Sequence, residues 1–115
     1  MNISPIDDKN TKFDIHSHVC CDESMGNILK TYIEYFSVPL QNKQILHVEI
    51  HPGVRISWDC MFKIYMAIQY KCSSINTQIE SLVFYIHNKF VVNCINRLVD
   101  LFNPTIPVSY THLTL

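Results

Sequence analysis

Residues 45–86, ILHVEIHPGVRISWDCMFKIYMAIQYKCSSINTQIESLVFYI, carry a strand, a helix and a second strand in that order. The first strand, residues 45–50, alternates apolar and polar side chains as far as the turn dipeptide Pro52-Gly53, which is typical of one buried face. The second strand, residues 82–86, is apolar on both faces, as expected either of a central strand covered on both sides or of a strand in a parallel sheet. This stretch therefore predicts a βαβ unit.

The helix between these strands has a favourable N-cap in Ser57 and is predicted to run to about Cys72. Its apolar side chains recur at three- and four-residue steps, which places them on one helix face. They are Trp58, Met61, Phe62, Tyr65, Ile68 and Cys72. We expect that face to pack against the sheet.

The same alternation continues on both sides of this unit. Residues 13–19, FDIHSHV, predict a half-buried strand, and a helix capped by Asp22 or Ser24 follows it and stops before Pro39. The apolar stripe of that helix is Ile28, Leu29, Tyr32, Ile33 and Phe36. Residues 88–102 predict a last amphipathic helix. The order β-α-β-α-β-α predicts an α/β fold with a small, mostly parallel sheet. We expect right-handed crossovers to connect its strands and the helices to pack on it.

Length and charge exclude several classes of function. The 115 residues suit one domain, which we place at residues 13–107 after a flexible N-terminal segment, residues 1–12. With 9 Lys+Arg against 10 Asp+Glu, the chain has no basic excess that would favour nucleic acid. The two glycines, Gly26 and Gly53, are too far apart for a glycine-rich phosphate loop.

The termini and the cysteines indicate a chain without export signals or disulfides. The polar start MNISPIDDKN lacks the apolar run of a signal peptide, and no stretch approaches the roughly 20 apolar residues of a membrane span. The five cysteines are odd in number and form no C-x-x-C pair, so we expect reduced thiols. A cytoplasmic location follows as the prediction.

The final eight residues, VSYTHLTL (108–115), alternate like a strand but resemble the read-through translation of a transposase-type sequencing adapter. This resemblance implies a non-native tail and a domain truncated at its C-terminus. We therefore assign no function to Tyr110 or His112.

Two polar triplets are the candidate functional residues: Asp14-x-His16-x-His18 and His47-x-Glu49-x-His51. Residues two apart share one face of a strand, so imidazoles and carboxylates from neighbouring strands could converge on zinc or a similar ion. FDIHSHV resembles the D-x-H-x-H strand of metal-dependent hydrolases of the TatD and polymerase-histidinol-phosphatase type. Those enzymes take further ligands from later strands, whereas here His87 is the one histidine between His51 and the tail. The other interpretation is a solvated polar sheet face, so no metal and no catalytic residue is assigned.

A broader resemblance covers residues 45–107. ILHVEIHPGVRIS, a helix, and SLVFYIHNKFVVNCINRLVDLFNP are similar to the strand, helix, strand and amphipathic helix of CRAL-TRIO and STAS-like modules, which occur as uncharacterised proteins of large DNA viruses. Lys89 replaces the proline of the CRAL-TRIO turn. Ser57 stands where STAS domains carry a phosphorylatable serine, although a helix cap explains it as well.

These patterns lead to three functional hypotheses. The first is a non-catalytic interaction or regulatory module, viral in origin, that binds a protein partner through Asp14, His16, His18, His47, Glu49, His51 and His87. The second is a zinc-type, hydrolase-like domain that uses the two triplets, and it requires their strands to be neighbours in one sheet. The third is a small lipid-binding module, which requires an apolar cavity.

Overall fold

The computed structural model describes residues 2–19, 21–71, 75 and 77–113. Within them, five strands form one sheet: β1 (Asn2–Pro5), β2 (Asn10–Ile15), β3 (Gln44–Ile50), β4 (Ile79–Ile86) and β5 (Val108–His112). They lie in the sheet in the order β1-β2-β3-β4-β5. β1 runs antiparallel to β2, and the remaining neighbours are parallel. The helices are α1 (Asp22–Phe36), α2 (Trp58–Met66), which continues as a π-helical turn (Ala67–Lys71), and α3 (Lys89–Leu101).

The three helices lie on one face of the sheet. Strands β2 to β5 are neighbours in chain order and parallel, so right-handed crossovers carry every connecting helix to the same side. Helix α2 contacts both α1 and α3, as this arrangement requires. The prediction of a mostly parallel α/β sheet with helices packed on it is confirmed.

Strand side chains differ sharply between the two faces of the sheet. The face toward the helices, called here the helix face, is apolar and buried, and its central members are Phe13, Leu46, Val48, Leu82 and Phe84. The opposite face, called here the open face, is half-buried and largely polar, and its central members are Lys12, Asp14, His47, Glu49, Val83 and Tyr85. Of the two interpretations of β4, its place in a parallel sheet is confirmed, whereas cover on both faces is wrong, because its open-face side chains are only half-buried.

The predicted first strand over residues 13–19 is displaced. β2 begins at Asn10 and ends at Ile15, whose partner in β3 is Ile50. After Ile50 the chain leaves the sheet through the Pro52-Gly53 turn, where Gly53 has a φ of +82°. The residues after Ile15 therefore have no β3 residue with which to continue the pairing. Val19 instead forms an isolated bridge with Ile56.

Helix starts and ends also differ in detail from the sequence prediction. The N-cap of α1 is Cys21, and Ser24 accepts a hydrogen bond from the Cys21 backbone N–H at 3.2 Å. Ile33, placed in the buried stripe, is exposed. Ser57 caps α2 as predicted and accepts from the Cys60 N–H at 3.1 Å. The predicted helix end at Cys72 lies outside the described residues.

Both terminal segments contribute strands to the sheet. Residues 1–12 contain β1, a strand without a signal in the sequence, because four residues are too few to show a period. In the tail, β5 pairs with β4 through Leu82 and Val108. No helix among the described residues is long and apolar enough to cross a membrane.

Candidate metal site at the carboxyl edge of the sheet

Asp14 and Glu49 lie side by side on the open face because β2 and β3 are parallel neighbours. The two residues are direct partners in the register, and Tyr85 of β4 is the next in the same row. His51 and His87 follow β3 and β4 by one residue, at the carboxyl ends of these strands. The adjacency that the metal hypothesis requires is therefore present.

Among the described residues, Asp14, Glu49 and His51 form a group whose ligand atoms all lie within 4.8 Å of one another. His51 Nε2–H donates to Asp14 Oδ1 at 2.9 Å, and His51 Nδ1 lies 3.7 Å from Glu49 Oε2. All three residues are half-buried. A carboxylate from each of two strands and an imidazole thus face one small volume.

His87 extends the cluster from β4. Its Nε2 lies 3.2 Å from Glu49 Oε2, and its side chain is only 11% exposed. His87 Nδ1 is buried and has no hydrogen-bond partner within the part of the chain that the structure describes. A buried imidazole nitrogen without a partner is costly unless another group satisfies it.

Lys12 provides a positive charge beside the two carboxylates. Its Nζ donates to Glu49 Oε1 at 2.8 Å and lies 3.9 Å from Asp14 Oδ1. It also lies 5.1 Å from the centre of the Tyr85 ring, a cation–π distance. The hydrogen bond from Lys12, supported by that from His87, lowers the pKa of Glu49, so the carboxylate form is favoured.

His47 shares the open face but belongs to a different network. With the Asn10 amide oxygen as acceptor, His47 Nε2–H donates to Asn10 Oδ1 at 2.8 Å, so the neutral ring accepts the Tyr85 hydroxyl at Nδ1, also at 2.8 Å. Burial, together with the nearby Lys12 charge, lowers the pKa of His47. Both ring nitrogens of this neutral histidine are therefore occupied by hydrogen bonds, and the residue lies two positions before Glu49 on β3.

The two remaining histidines of the first triplet separate. The His16 ring packs edge-on against the His51 ring, with 6.0 Å between centroids. His18 instead accepts a hydrogen bond at Nδ1 from the Arg55 backbone N–H at 2.9 Å. Of the seven predicted residues, Asp14, Glu49, His51 and His87 lie together with His16 adjacent, whereas His18 and His47 are bonded elsewhere.

Sequence reasoning missed Lys12 and Tyr85. Lys12 lies two residues before Asp14, so the strand period that grouped the triplets also places it on their face, once the strand start is moved to Asn10. Tyr85 was hidden inside an apolar run. Only the pairing of β4 with β3 shows that it joins the open face.

The donor set suits a borderline divalent ion. Imidazole nitrogen and carboxylate oxygen are ordinary zinc ligands, with bonds of about 2.0–2.2 Å. Three protein ligands leave a coordination position for water, the arrangement of catalytic rather than structural zinc sites. Comparison with known protein families, with curated proteins and with solved structures finds no match for this chain. The geometry of the site is therefore the basis for assigning a function.

Proposed function

We propose that this chain binds a divalent transition metal ion through Asp14, Glu49 and His51 and acts as a metal-dependent, hydrolase-like domain. The observation that carries the proposal is the convergence of these three ligand atoms within 4.8 Å, from two neighbouring parallel strands. Residues 35 positions apart in the sequence meet there only because β2 and β3 pair in register. A solvated polar face by itself does not require such convergence.

The position of the cluster supports the proposal. Ligands of parallel α/β sheets bind at the carboxyl ends of the strands, where the loops leave room and the chain direction collects side chains from separate elements. The open face at that edge has no covering helix among the described residues, so a substrate has access. Of the D-x-H-x-H resemblance, only Asp14 belongs to this ligand set, since His18 bonds to the Arg55 backbone.

In this proposal each residue has a defined role. Asp14, Glu49 and His51 are the ligands, and His87, at 3.2 Å from Glu49, supplies a further nitrogen at the rim of the site. A divalent ion held by these residues would supply a bound water of lowered pKa, which could act as a nucleophile near neutral pH. Glu49 carries its negative charge before the ion arrives, because its pKa is already lowered.

The test is a calorimetric titration of Zn²⁺ into the full chain and into the variants His51→Ala and Glu49→Gln. We expect one ion per chain, with an affinity at least about tenfold weaker in each variant because a ligand is lost. His18→Gln is the matched control, since it removes a histidine bonded to the backbone of Arg55 outside the cluster. The control should bind zinc as the parent does.

Substitution with Co²⁺ distinguishes this site from adventitious binding by cysteine. The absorption of the cobalt complex should be that of nitrogen and oxygen ligands, with no sulfur charge-transfer band. A sulfur band, or equal zinc affinity in all variants, would contradict the proposal. Hydrolysis of p-nitrophenyl phosphate or p-nitrophenyl acetate by the loaded chain, lost in His51→Ala, then tests the hydrolase assignment.

The other hypotheses draw less support from the geometry. A protein-interaction module of STAS or CRAL-TRIO type, viral in origin and cytoplasmic, stays a prediction based on sequence pattern. An acyl-chain cavity would have to open within the core, where Leu46, Leu82 and Phe84 are fully buried against the helices. We therefore place the metal hypothesis first.

A further inference from the structure

Lys12 lies within the cluster that the proposed function assigns to a metal ion. Its ammonium donates to Glu49 Oε1 at 2.8 Å and lies 3.9 Å from Asp14 Oδ1. Two of the three proposed ligands therefore already share one cation. An incoming dication needs the same two carboxylates.

The position of this ammonium is set by the sheet. Lys12 is the register partner of His47 and precedes Asp14 by two residues on β2. Its aliphatic stem therefore lies on the open face, and its ammonium group reaches along the strand to the carboxylates of Asp14 and Glu49. The side chain is only 26% exposed, and the Tyr85 ring lies 5.1 Å from Nζ. In such a partly buried setting a charge pair is stronger than at a fully solvated surface.

The positive charge of Lys12 weakens the attraction of the metal-free cluster for cations. Asp14 and Glu49 contribute two negative charges and Lys12 one positive charge, so the metal-free cluster is less attractive to cations than the two carboxylates alone. A divalent ion bound to both carboxylates would stand close to the ammonium and repel it. The Tyr85 ring offers the displaced ammonium a second favourable contact.

We propose that Lys12 is a tethered cation that holds the carboxylates of Asp14 and Glu49 in the metal-free chain and competes with the metal for them. Lys12 is thus a positioning residue that sets the metal affinity of the site without being a ligand. It keeps the two carboxylates ordered before the ion binds, and it lowers the affinity of the site for the metal ion. This inference rests on the proposed function, because the competing ion is the one assigned there.

The test compares Zn²⁺ affinity between the parent chain and Lys12→Met. Methionine keeps an unbranched stem of similar length and removes the charge, so the packing on the open face is preserved. We expect zinc to bind roughly tenfold more tightly to Lys12→Met, the change that about 1.4 kcal/mol produces. Lys30→Met is the matched control, because Lys30 is 73% exposed on α1, and its affinity should equal that of the parent.

Lys12→Arg separates charge from structure. Arginine retains the positive charge, so the affinity should stay near that of the parent, whereas a merely structural role for Lys12 would alter both variants alike. The ammonium resonance of Lys12, followed by NMR during zinc addition, should shift at one equivalent while that of Lys30 does not. Far-ultraviolet circular dichroism checks that each variant is folded.

Each outcome decides between the two proposals. Equal or weaker zinc binding by a folded Lys12→Met, with binding by the parent, overturns the role of Lys12 and leaves the metal site intact. Binding by Lys12→Met but not by the parent supports the competition directly. If neither chain binds zinc, the proposed function fails and the inference fails with it.

Discussion

The two faces of the sheet come from the same strands but are stabilised in different ways. On the helix face, Leu46, Leu82 and Phe84 are fully buried, so removal of apolar surface from water stabilises it. On the open face, Lys12 and Glu49 are partly exposed and are held by hydrogen bonds and charge pairs. Alternate residues of one strand are therefore stabilised by different interactions, apolar burial on the helix face and polar pairing on the open face.

The difference shows where stability and function reside. Partly exposed ion pairs contribute only about 0–1 kcal/mol each, whereas a buried aromatic residue contributes several times more. The open face therefore tolerates a concentration of charged and titratable groups at little expense to folding. The helix face therefore provides most of the stability of the fold, and the open face can hold the charged groups that the proposed function requires.

The largest expected effect comes from truncating the helix face. Phe84→Ala should lower the free energy of unfolding by about 3–5 kcal/mol, because it removes a fully buried ring from the inner strand β4 and leaves a cavity. Urea denaturation followed by circular dichroism measures this loss. Val83→Ala, on the open face of the same strand, is the control. Equal losses in the two variants would contradict the difference between the faces.

A smaller effect is expected at the polar exception on the helix face. Thr11 Oγ1 donates to Gln44 Oε1 at 2.8 Å, and both residues are buried. Thr11→Val should cost about 1–3 kcal/mol, because it leaves a buried amide oxygen without its partner. The half-buried Thr31, whose hydrogen bond to the Asn27 carbonyl at 2.8 Å is exposed, serves for comparison, and Thr31→Val should change the unfolding free energy by less than about 0.5 kcal/mol. A Thr11→Val chain as stable as the parent would argue against this bond.

The smallest effect is the acid sensitivity of the open face. Because the Lys12 hydrogen bond lowers the pKa of Glu49 in the folded chain, the ionised form is stabilised by folding. That stabilisation is present above the ordinary carboxyl pKa of 4.5 and is lost as the pH falls through the lower folded value. Glu49→Gln should therefore lose less stability than the parent between pH 7 and pH 3, by less than about 1 kcal/mol. Unfolding curves at the two pH values measure the difference, and identical acid sensitivity would contradict the pairing.

The periodicity of the sequence was sufficient for the alternating α/β order and for most of the candidate site. Strand period two placed Asp14 and Glu49 on polar faces, and the Ser57 cap marked the start of α2 as the structure has it. Local patterns were insufficient at the strand end after Ile15, which depends on where the neighbouring strand leaves the sheet. They also missed β1, whose four residues are too short to show a period.

The sequence by itself therefore determined which side chains share a face, because that depends on backbone geometry within a single element. Only the tertiary structure decided which faces meet: the parallel pairing of β2 with β3 unites Asp14, Glu49 and His51, while His18 turns to the Arg55 backbone. It also placed Lys12 against Glu49, and among the described residues it left one sheet face without helices, since crossovers of one hand and one direction cover a single side. Such arrangements depend on contacts between residues tens of positions apart, which local pattern does not encode.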